Sequence, residues 1–264
     1  MEAQDDRQEV LRQHGGKPVR LRATRARSKE PSNRLPQPSL TLREPDILDS
    51  LTGAEREVFL SKCVAQHYSK GEYLCVQGNV HCENFLVREG LVRTYYTSPV
   101  GREITLGYWS KGNLAGGPSF FDSCNHIWSV QAVRNSRVLS IKTSDFRALT
   151  LQVPAIADCV INALSFKLNW FSIVFQTLGT ESAATRVARV LLLLSNVHGT
   201  KRLDGTVLRL NFTHEDIGNM VSATRPWVSM VLSKLQKDRI IKISRTHEMK
   251  IDVQRLEQFL ADAK

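Results

Sequence analysis

The sequence contains no apolar run long enough to cross a membrane and no apolar stretch at its N-terminus. A membrane-spanning helix needs about 18 or more predominantly apolar residues, and the longest candidate, residues 168–178, is too short. The opening residues, MEAQDDRQEV, lack the apolar centre of a secretory signal. These absences predict a cytoplasmic protein with no membrane partner, in which the five cysteines stay mostly reduced.

The sequence also lacks the motifs of common enzymes. Histidine, cysteine and carboxylates are present, but there is no nucleophile–base motif, no phosphate-binding Walker loop and no metal-ligand spacing. An enzyme is therefore not the expected class of protein.

What the chain has in excess is positive charge. It carries 36 Lys+Arg against 26 Asp+Glu, a formal net charge of +10, and such a balance favours a polyanionic partner. The excess lies at the two ends: residues 1–45 carry +4 and residues 183–264 carry +6, whereas residues 46–153 carry +1 and residues 154–182 carry −1. A polyanion is therefore expected to bind the ends of the chain.

Residues 1–45 are predicted to form a disordered basic tail. Between residues 12 and 43 there are nine basic residues, one acidic residue and four prolines, without apolar periodicity. The arginines could contact DNA phosphates weakly. A merely solvated tail, or a misassigned start, is the open alternative.

Residues 46–153 are predicted to form an antiparallel β domain. A hairpin is predicted where residues 85–87 precede Glu89-Gly90 and residues 91–96 follow. Further short strands are predicted over 104–108, 129–133 and 137–141. Many short strands at this spacing are typical of a barrel or sandwich, including jelly-roll types.

A helical pattern of a different kind begins at Pro154 and runs to Thr180. Its apolar residues recur at alternating spacings of four and three, which predicts a heptad seam along one helix. Two copies packing along this seam would form a symmetric dimer, and a core helix within one domain is the alternative. The seam consists of Ala157, Ile161, Leu164, Leu168, Phe171, Phe175 and Leu178.

Residues 181–264 are predicted to contain a helix-turn-helix followed by a β-hairpin. Thr213 and Asp216 have the spacing of a capping box at the first helix. Thr224 is predicted to cap the second helix, with Pro226 in its first turn. The hairpin over 240–253 has a basic tip and would be the wing. The predicted buried face of the second helix consists of Val228, Val231, Leu232 and Leu235.

Arg225 is the strongest candidate for reading a base. It stands at the N-terminal end of the second helix, which meets base edges in the major groove, and an arginine can bond both acceptors of a guanine. Hydroxyls and free amides at the two helix starts favour phosphate contacts. The residues predicted to bind DNA are Thr213, His214, Ser222, Thr224, Arg225, Pro226, Trp227, Ser229, Lys234 and Arg245.

Several motifs in the β domain resemble those of a known family. They are KGE at 70–72, QGN at 77–79, FLVREG at 85–90, GREI at 101–104 and KGNL at 111–114. In this order and spacing they resemble the cyclic-nucleotide-binding β-roll of the CRP/FNR transcription regulators. Residues 211–253 resemble the winged helix of the same family, so that the resemblance spans about residues 46–253.

The resemblance implies an α+β protein in three parts. These are a jelly-roll sensor (a double-stranded β-helix) over 46–153, a dimerisation helix over 154–180 and a winged helix-turn-helix over 181–264. It implies a homodimeric, sequence-specific transcription regulator that binds two half-sites in promoter double-stranded DNA and acts on RNA polymerase. A small-molecule effector at the junction of the roll and the long helix would control its DNA affinity.

Two departures from the family pattern change what is expected. An acid and a second arginine of the family's recognition helix are replaced by Pro226 and Met230, which predicts a DNA site unlike the usual CRP or FNR palindrome. The glutamate and the Arg-Ser pair that hold cyclic AMP are also missing, which predicts a more apolar effector or none. The residues at the corresponding pocket are Gly116, Gly117, Pro118, His126, Ile127, Trp128, Trp170, Phe171 and Ser172.

Two metal-dependent alternatives follow from the same resemblance. Iron–sulfur sensing in this family needs a cysteine cluster near the N-terminus, and residues 1–62 contain no cysteine. Haem sensing needs an axial ligand, for which His81, Cys82, Cys124 and His126 are available, but none has a haem spacing and ordinary loop residues are the favoured interpretation. A haem- or redox-responsive regulator and a non-DNA cyclic-nucleotide-binding adaptor remain the alternatives, and the +6 charge of residues 183–264 argues against the adaptor.

Overall fold

The structure is a computed structural model. It describes residues 46–80, 82–116, 120–121, 125–203, 205–209, 212–244 and 248–263. The predictions for the tail over 1–45 lie outside the described residues. The same is true of those for His81, Gly117, Pro118, Cys124 and Arg245.

The first part of the described chain is an antiparallel β-roll with one helix before it and one after it. Its sheet has the strand order β1-β6-β3-β4, with β2 paired to β6 and β5 paired to β3. The strands predicted over 129–133 and 137–141 are two parts of the single strand β6. The elements are α1 (Gly53–Ser61), β1 (Cys63–Tyr68), β2 (Tyr73–Cys75), β3 (Glu83–Thr97), β4 (Glu103–Trp109), β5 (Leu114–Ala115), β6 (Ser129–Lys142) and α2 (Thr143–Gln152).

The hairpin predicted at Glu89-Gly90 is wrong, because both residues lie inside the continuous strand β3. The register of β3 against β6 shifts between Val87 and Val92, and Gly90 has a φ of 92°. A Cβ on Gly90 would lie 2.6 Å from the carbonyl oxygen of Asn135. Glycine therefore allows two long strands to stay paired through a bulge. It marks a bend and not a turn.

The long helix α3 (Pro154–Thr180) has the bounds that the heptad spacing predicts. One face packs against the roll and buries Ile156, Val160, Ala163 and Trp170. Among the described residues no single helix is long and apolar enough to span a membrane. Only the pair α2 and α3 passes that test together, and the two are bent by 116°.

The last part of the chain is a helical unit with a small four-stranded sheet of order β7-β8-β10-β9. Its core contains Leu191, Leu194, Ile217, Val228 and Leu256. The terminal helix, which Asp252 caps through the Arg255 amide, was not predicted. The elements are α4 (Ala183–His198), β7 (Thr200–Arg202), β8 (Gly205–Leu208), α5 (His214–Val221), α6 (Arg225–Lys237), β9 (Ile241–Ile243), β10 (Met249–Ile251) and α7 (Val253–Asp262).

Candidate nucleic-acid interface

The first helix of the pair, α5, has defined ends. At its start the Thr213 amide donates to Asp216 Oδ2 at 2.8 Å and the Asp216 amide donates to Thr213 Oγ1 at 3.0 Å. This is the predicted capping box. At its end Ser222 is left-handed, with a φ of 54°. A Cβ on Gly218 would lie 2.6 Å from the Ala223 carbonyl oxygen, so glycine is what permits the tight turn into α6.

The second helix, α6, begins at Arg225 with Pro226 in its first turn. Thr224 is extended and holds the N-cap position, as predicted, but its side chain makes no capping hydrogen bond. The predicted apolar face is buried, and it fixes the orientation of the helix. The exposed side chains are Arg225, Pro226, Trp227, Met230, Ser233, Lys234, Gln236 and Lys237.

Three of the predicted DNA-binding residues on α5 and α6 contact side chains of neighbouring helices. His214 Nδ1 lies 2.6 Å from Ser229 Oγ, which links α5 to α6. Ser229 Oγ also donates to the Arg225 carbonyl at 2.9 Å. The ammonium of Lys234 lies 5.8 Å from the ring centroid of Phe259 on α7. His214 and Ser229 therefore join α5 to the first turns of α6, close to Arg225.

The wing is an antiparallel hairpin of β9 and β10, as predicted. Lys242 and Lys250 stand opposite each other on the two strands. Arg239 precedes β9 in a left-handed conformation with a φ of 56°. These cations, together with those of α6, account for much of the +6 charge of residues 183–264.

The start of α5 and the turn after it lie against strand β4 and the loop that leads into it. Arg102 Nη2 donates to Ser222 Oγ at 2.6 Å, and the Tyr108 hydroxyl lies 3.5 Å from Asp216 Oδ1. The rings of Tyr108 and Phe212 meet edge to face with centroids 4.6 Å apart. The β-roll therefore touches the turn and the capping box of the helix-turn-helix directly.

His198, at the end of α4, belongs to the same junction. Burial is the largest cause that lowers the pKa of His198; a hydrogen bond with the Tyr108 backbone opposes it, the nearby Arg134 adds to it, and together they bring the pKa to about 4. The imidazole is therefore neutral at pH 7. Since the unfolded chain binds this proton below about pH 6.5, protonation favours unfolding in the window from 6.5 down to 4.

We expect the free energy of unfolding to fall between pH 7 and pH 4.5 by about 2 kcal/mol more in the wild type than in a His198→Gln variant. Urea denaturation at the two pH values measures the difference. His67→Gln, at an exposed histidine on β1, is the matched control and should keep the wild-type dependence. An unchanged dependence in His198→Gln would show that His198 titrates normally.

The predicted effector residues divide into two groups. Trp128 donates from Nε1 to the Gly116 carbonyl at 2.8 Å, and its ring lies 6.3 Å from that of Phe171. Trp170 is buried and donates to the Leu106 carbonyl at 2.8 Å. The structure thus brings Gly116, Trp128 and Phe171 together, while Ile127 and Ser172 are exposed.

His126, like Trp170, is a buried member of the predicted effector residues. Its backbone amide donates to the Asn79 carbonyl at 2.7 Å, and its carbonyl accepts from the Gly78 amide at 2.7 Å. It is thereby built into a loop of the roll. In the part of the chain that the structure describes, no three His, Cys, Asp or Glu residues form a group that could hold a metal ion.

Lys167 is a residue of this region that the sequence reasoning did not select. It is buried on α3 and donates to the Leu114 carbonyl at 2.9 Å, and its ammonium lies 3.5 Å from the centroid of the Trp109 ring. The available signal was the rarity of charge between Pro154 and Thr180, where Asp158 and Lys167 are the charged residues. A lysine so placed anchors α3 to strands β4 and β5.

Comparison with known proteins identifies both halves of the described chain. Residues 65–152 match the family model of the cyclic nucleotide-binding domain, and residues 185–259 match the Crp-like helix-turn-helix domain. Together the two models cover more than half of the chain. The chain belongs to the CRP/FNR family of transcription regulators. The predicted family, the α+β fold class and the function as a DNA-binding regulator of CRP/FNR type are thereby confirmed.

Individual relatives agree with this assignment to the CRP/FNR family. The chain is 28% identical over 203 residues to the transcriptional activator protein Anr of Pseudomonas protegens, covering 77% of this chain and 79% of that protein. It is 26% identical over 197 residues to the cyclic AMP receptor protein of Thermus thermophilus, covering 75% and 88%. The fold is similar to that of a CooA mutant from Carboxydothermus hydrogenoformans, with a TM-score of 0.67 and 23% identity over 83% of this chain and 95% of that one.

Proposed function

We propose that this CRP/FNR regulator works as a homodimer whose two α6 helices read a promoter site with two half-sites. The observation that carries the proposal is the surface of α6. Its apolar face is buried, and Arg225 stands exposed at the end that leads into a major groove. The +6 charge of residues 183–264 supplies the attraction to phosphates.

The predicted DNA-binding residues take different roles in this proposal. Arg225 bonds the two acceptors of a guanine, and the exposed hydroxyls of Ser222 and Thr224 take phosphates. The Thr213 hydroxyl donates to Asp216 Oδ2 at 2.7 Å, so Thr213 caps α5 and a phosphate would meet the free amides of the helix start. His214 and Ser229 hold α5 and α6 in register. Trp227 and Lys234 flank the groove, and Arg245, which lies outside the described residues, stays a predicted DNA contact.

The dimer is proposed from the free face of α3. Ile161 is 59% exposed, Leu168 67% and Phe175 79%, whereas the opposite face is buried against the roll. A helix that leaves one heptad face of large apolar side chains in water is stabilised when a second copy covers it. Two-fold symmetry of the protein then matches two half-sites about one DNA turn apart.

Effector control is proposed to act through the contact between the β-roll and the winged helix-turn-helix over 181–264, which we call the reading head. The Arg102–Ser222 and Tyr108–Asp216 contacts connect β4 and its loop to the turn and the cap of α5. A ligand that favours one arrangement of this junction would shift the DNA affinity by its differential affinity for the two states. We further propose that the dimer acts in the cytoplasm, by touching RNA polymerase or by blocking its access.

Cyclic AMP should not be the effector. Tryptophan and phenylalanine side chains line the described part of the predicted effector site, where the roll meets α3. The sequence lacks the arginine fork that suits a cyclic phosphate. A specific small ligand would bind with a Kd of about 1 μM. We expect isothermal calorimetry to detect no binding of cyclic AMP at concentrations up to about 100 times that value. Micromolar binding would refute this expectation.

Salt-dependent binding to promoter DNA tests the proposed function. Mobility shifts at several salt concentrations should give a logarithmic affinity that falls linearly with the logarithm of the salt concentration. The protein should stay bound to a specific duplex in the presence of excess random DNA. If no shift occurs at low salt, with or without cell extract, the proposed function is wrong.

A further inference from the structure

The outward ridge of α6 carries apolar side chains where it would face the bases. A helix turns 100° per residue, so the buried Val228, Leu232 and Leu235 fix the opposite side. Met230 lies on that opposite side and is 53% exposed. The full ridge, in order from the N-terminus, is Pro226, Met230, Ser233 and Lys237.

The hydroxyls next to Met230 are turned back into the protein. Ser233 Oγ donates to the Ser229 carbonyl at 2.9 Å. Ser229 Oγ donates to the Arg225 carbonyl at 2.9 Å and also contacts His214. Because both protons are committed within the protein, the middle of the ridge presents mainly the carbons of Pro226 and Met230.

The surroundings of this apolar ridge indicate what covers it. Arg225 precedes its apolar part, Pro226 and Met230, and Lys234 and Lys237 follow that part in the last turn of α6. An apolar strip bordered by cations at both ends is complementary to a surface that is anionic at its edges and apolar inside. In the major groove of DNA the apolar group is the C5-methyl of thymine, and the edges are phosphates.

We propose that Met230, together with Pro226, reads the methyl groups of thymines beside the guanine that Arg225 reads. This inference rests on the proposed function and adds the base identity that its ridge selects. Contact with a methyl group removes apolar surface from water, which is worth ~0.8 kcal/mol, or about fourfold in affinity. In a dimer the effect occurs in both half-sites and amounts to about fifteenfold.

The test uses a duplex selected by the protein from random DNA. In matched duplexes each thymine of the half-sites is replaced by deoxyuridine, which removes the methyl group and keeps the base pair. Wild-type protein should bind the substituted duplex about fourfold more weakly for each contacted methyl. Met230→Ala should lose about fourfold of this difference in each half-site, because the side chain that senses the methyl is gone, and should keep only the part that Pro226 contributes.

Two further variants keep the test decisive. Leu203→Ala removes an exposed apolar side chain from the β7–β8 turn, at the other end of the sheet from β9, and should keep the full methyl dependence. Met230→Leu keeps an apolar side chain and should keep most of it. Circular dichroism of each variant should match the wild type, since both positions are exposed.

The outcomes separate the inference from the function on which it rests. If wild-type protein binds the selected duplex and its deoxyuridine form equally, the methyl inference is overturned and DNA binding stands. It is also overturned if Met230→Ala keeps the full methyl dependence or if Met230→Leu loses it. If no duplex is selected at all, the proposed function fails and the inference fails with it.

Discussion

Replacing Arg225 with alanine should lower the affinity for the selected duplex by about a hundredfold. A bidentate contact between arginine and guanine is worth about 1–3 kcal/mol, and a dimer makes it twice. Two contacts of about 1.4 kcal/mol each, in the lower half of this range, already give two powers of ten. Binding to random duplexes should fall only a few-fold, because a phosphate contact is the most that Arg225 makes there. Fluorescence anisotropy with the two duplexes at one salt concentration measures both changes.

Lys237→Ala is the matched control for Arg225→Ala. Lys237 is exposed in the last turn of the same helix, and a lysine that contacts phosphate weakens binding to all sequences alike. Its loss should reduce the salt dependence by about one charge for each protomer. If Arg225→Ala weakened the selected and the random duplex equally, the base-reading role of Arg225 would be wrong.

Placing a charge in the seam of α3 should abolish both dimer formation and tight DNA binding. Leu168 is 67% exposed in one chain. In a dimer of the Leu168→Glu variant, each protomer would place a carboxylate in the same apolar interface. Two linked reading heads bind more tightly than one by a factor of about 10²–10⁴. We expect a monomer in sedimentation and a loss of affinity for the two-half-site duplex of at least about a hundredfold.

The control for this variant is Gln176→Glu, which adds the same charge one residue away from Phe175 on an exposed part of α3. It should sediment as the wild type does and bind the duplex within a few-fold of it. A dimeric Leu168→Glu protein, or a monomer that keeps the wild-type affinity, would show that the seam does not hold the reading heads together.

Local signals in the sequence were enough to predict the elements that carry the function. The bounds of α3 followed from Pro154 and the heptad spacing, because both act within the helix itself. The capping box of Thr213 and Asp216 located α5 for the same reason. The roles of the DNA-contacting and effector residues, and the domain bounds, stay predictions.

Features that depend on distant parts of the chain were missed or misread. Glu89-Gly90 has the local chemistry of a turn, but the paired strand β6 keeps it extended. The contact of Arg102 with Ser222 joins residues 120 positions apart, and no periodicity indicates such a pair. The same holds for Lys167 over the Trp109 ring. The conformation at Glu89-Gly90 and these two contacts depend on tertiary packing, which local patterns in the sequence do not indicate.

Sequence-specific DNA binding by a dimer is tested by selecting bound duplexes from a random library and footprinting the protein on the selected duplexes. We expect an inverted repeat with half-site centres about 10–10.5 base pairs apart, each with a guanine, and a sequence other than the usual CRP or FNR palindrome. No enrichment, or a single asymmetric site, would contradict the dimeric reading mechanism. Recovery of the standard CRP site above all others would contradict the roles given to Pro226 and Met230.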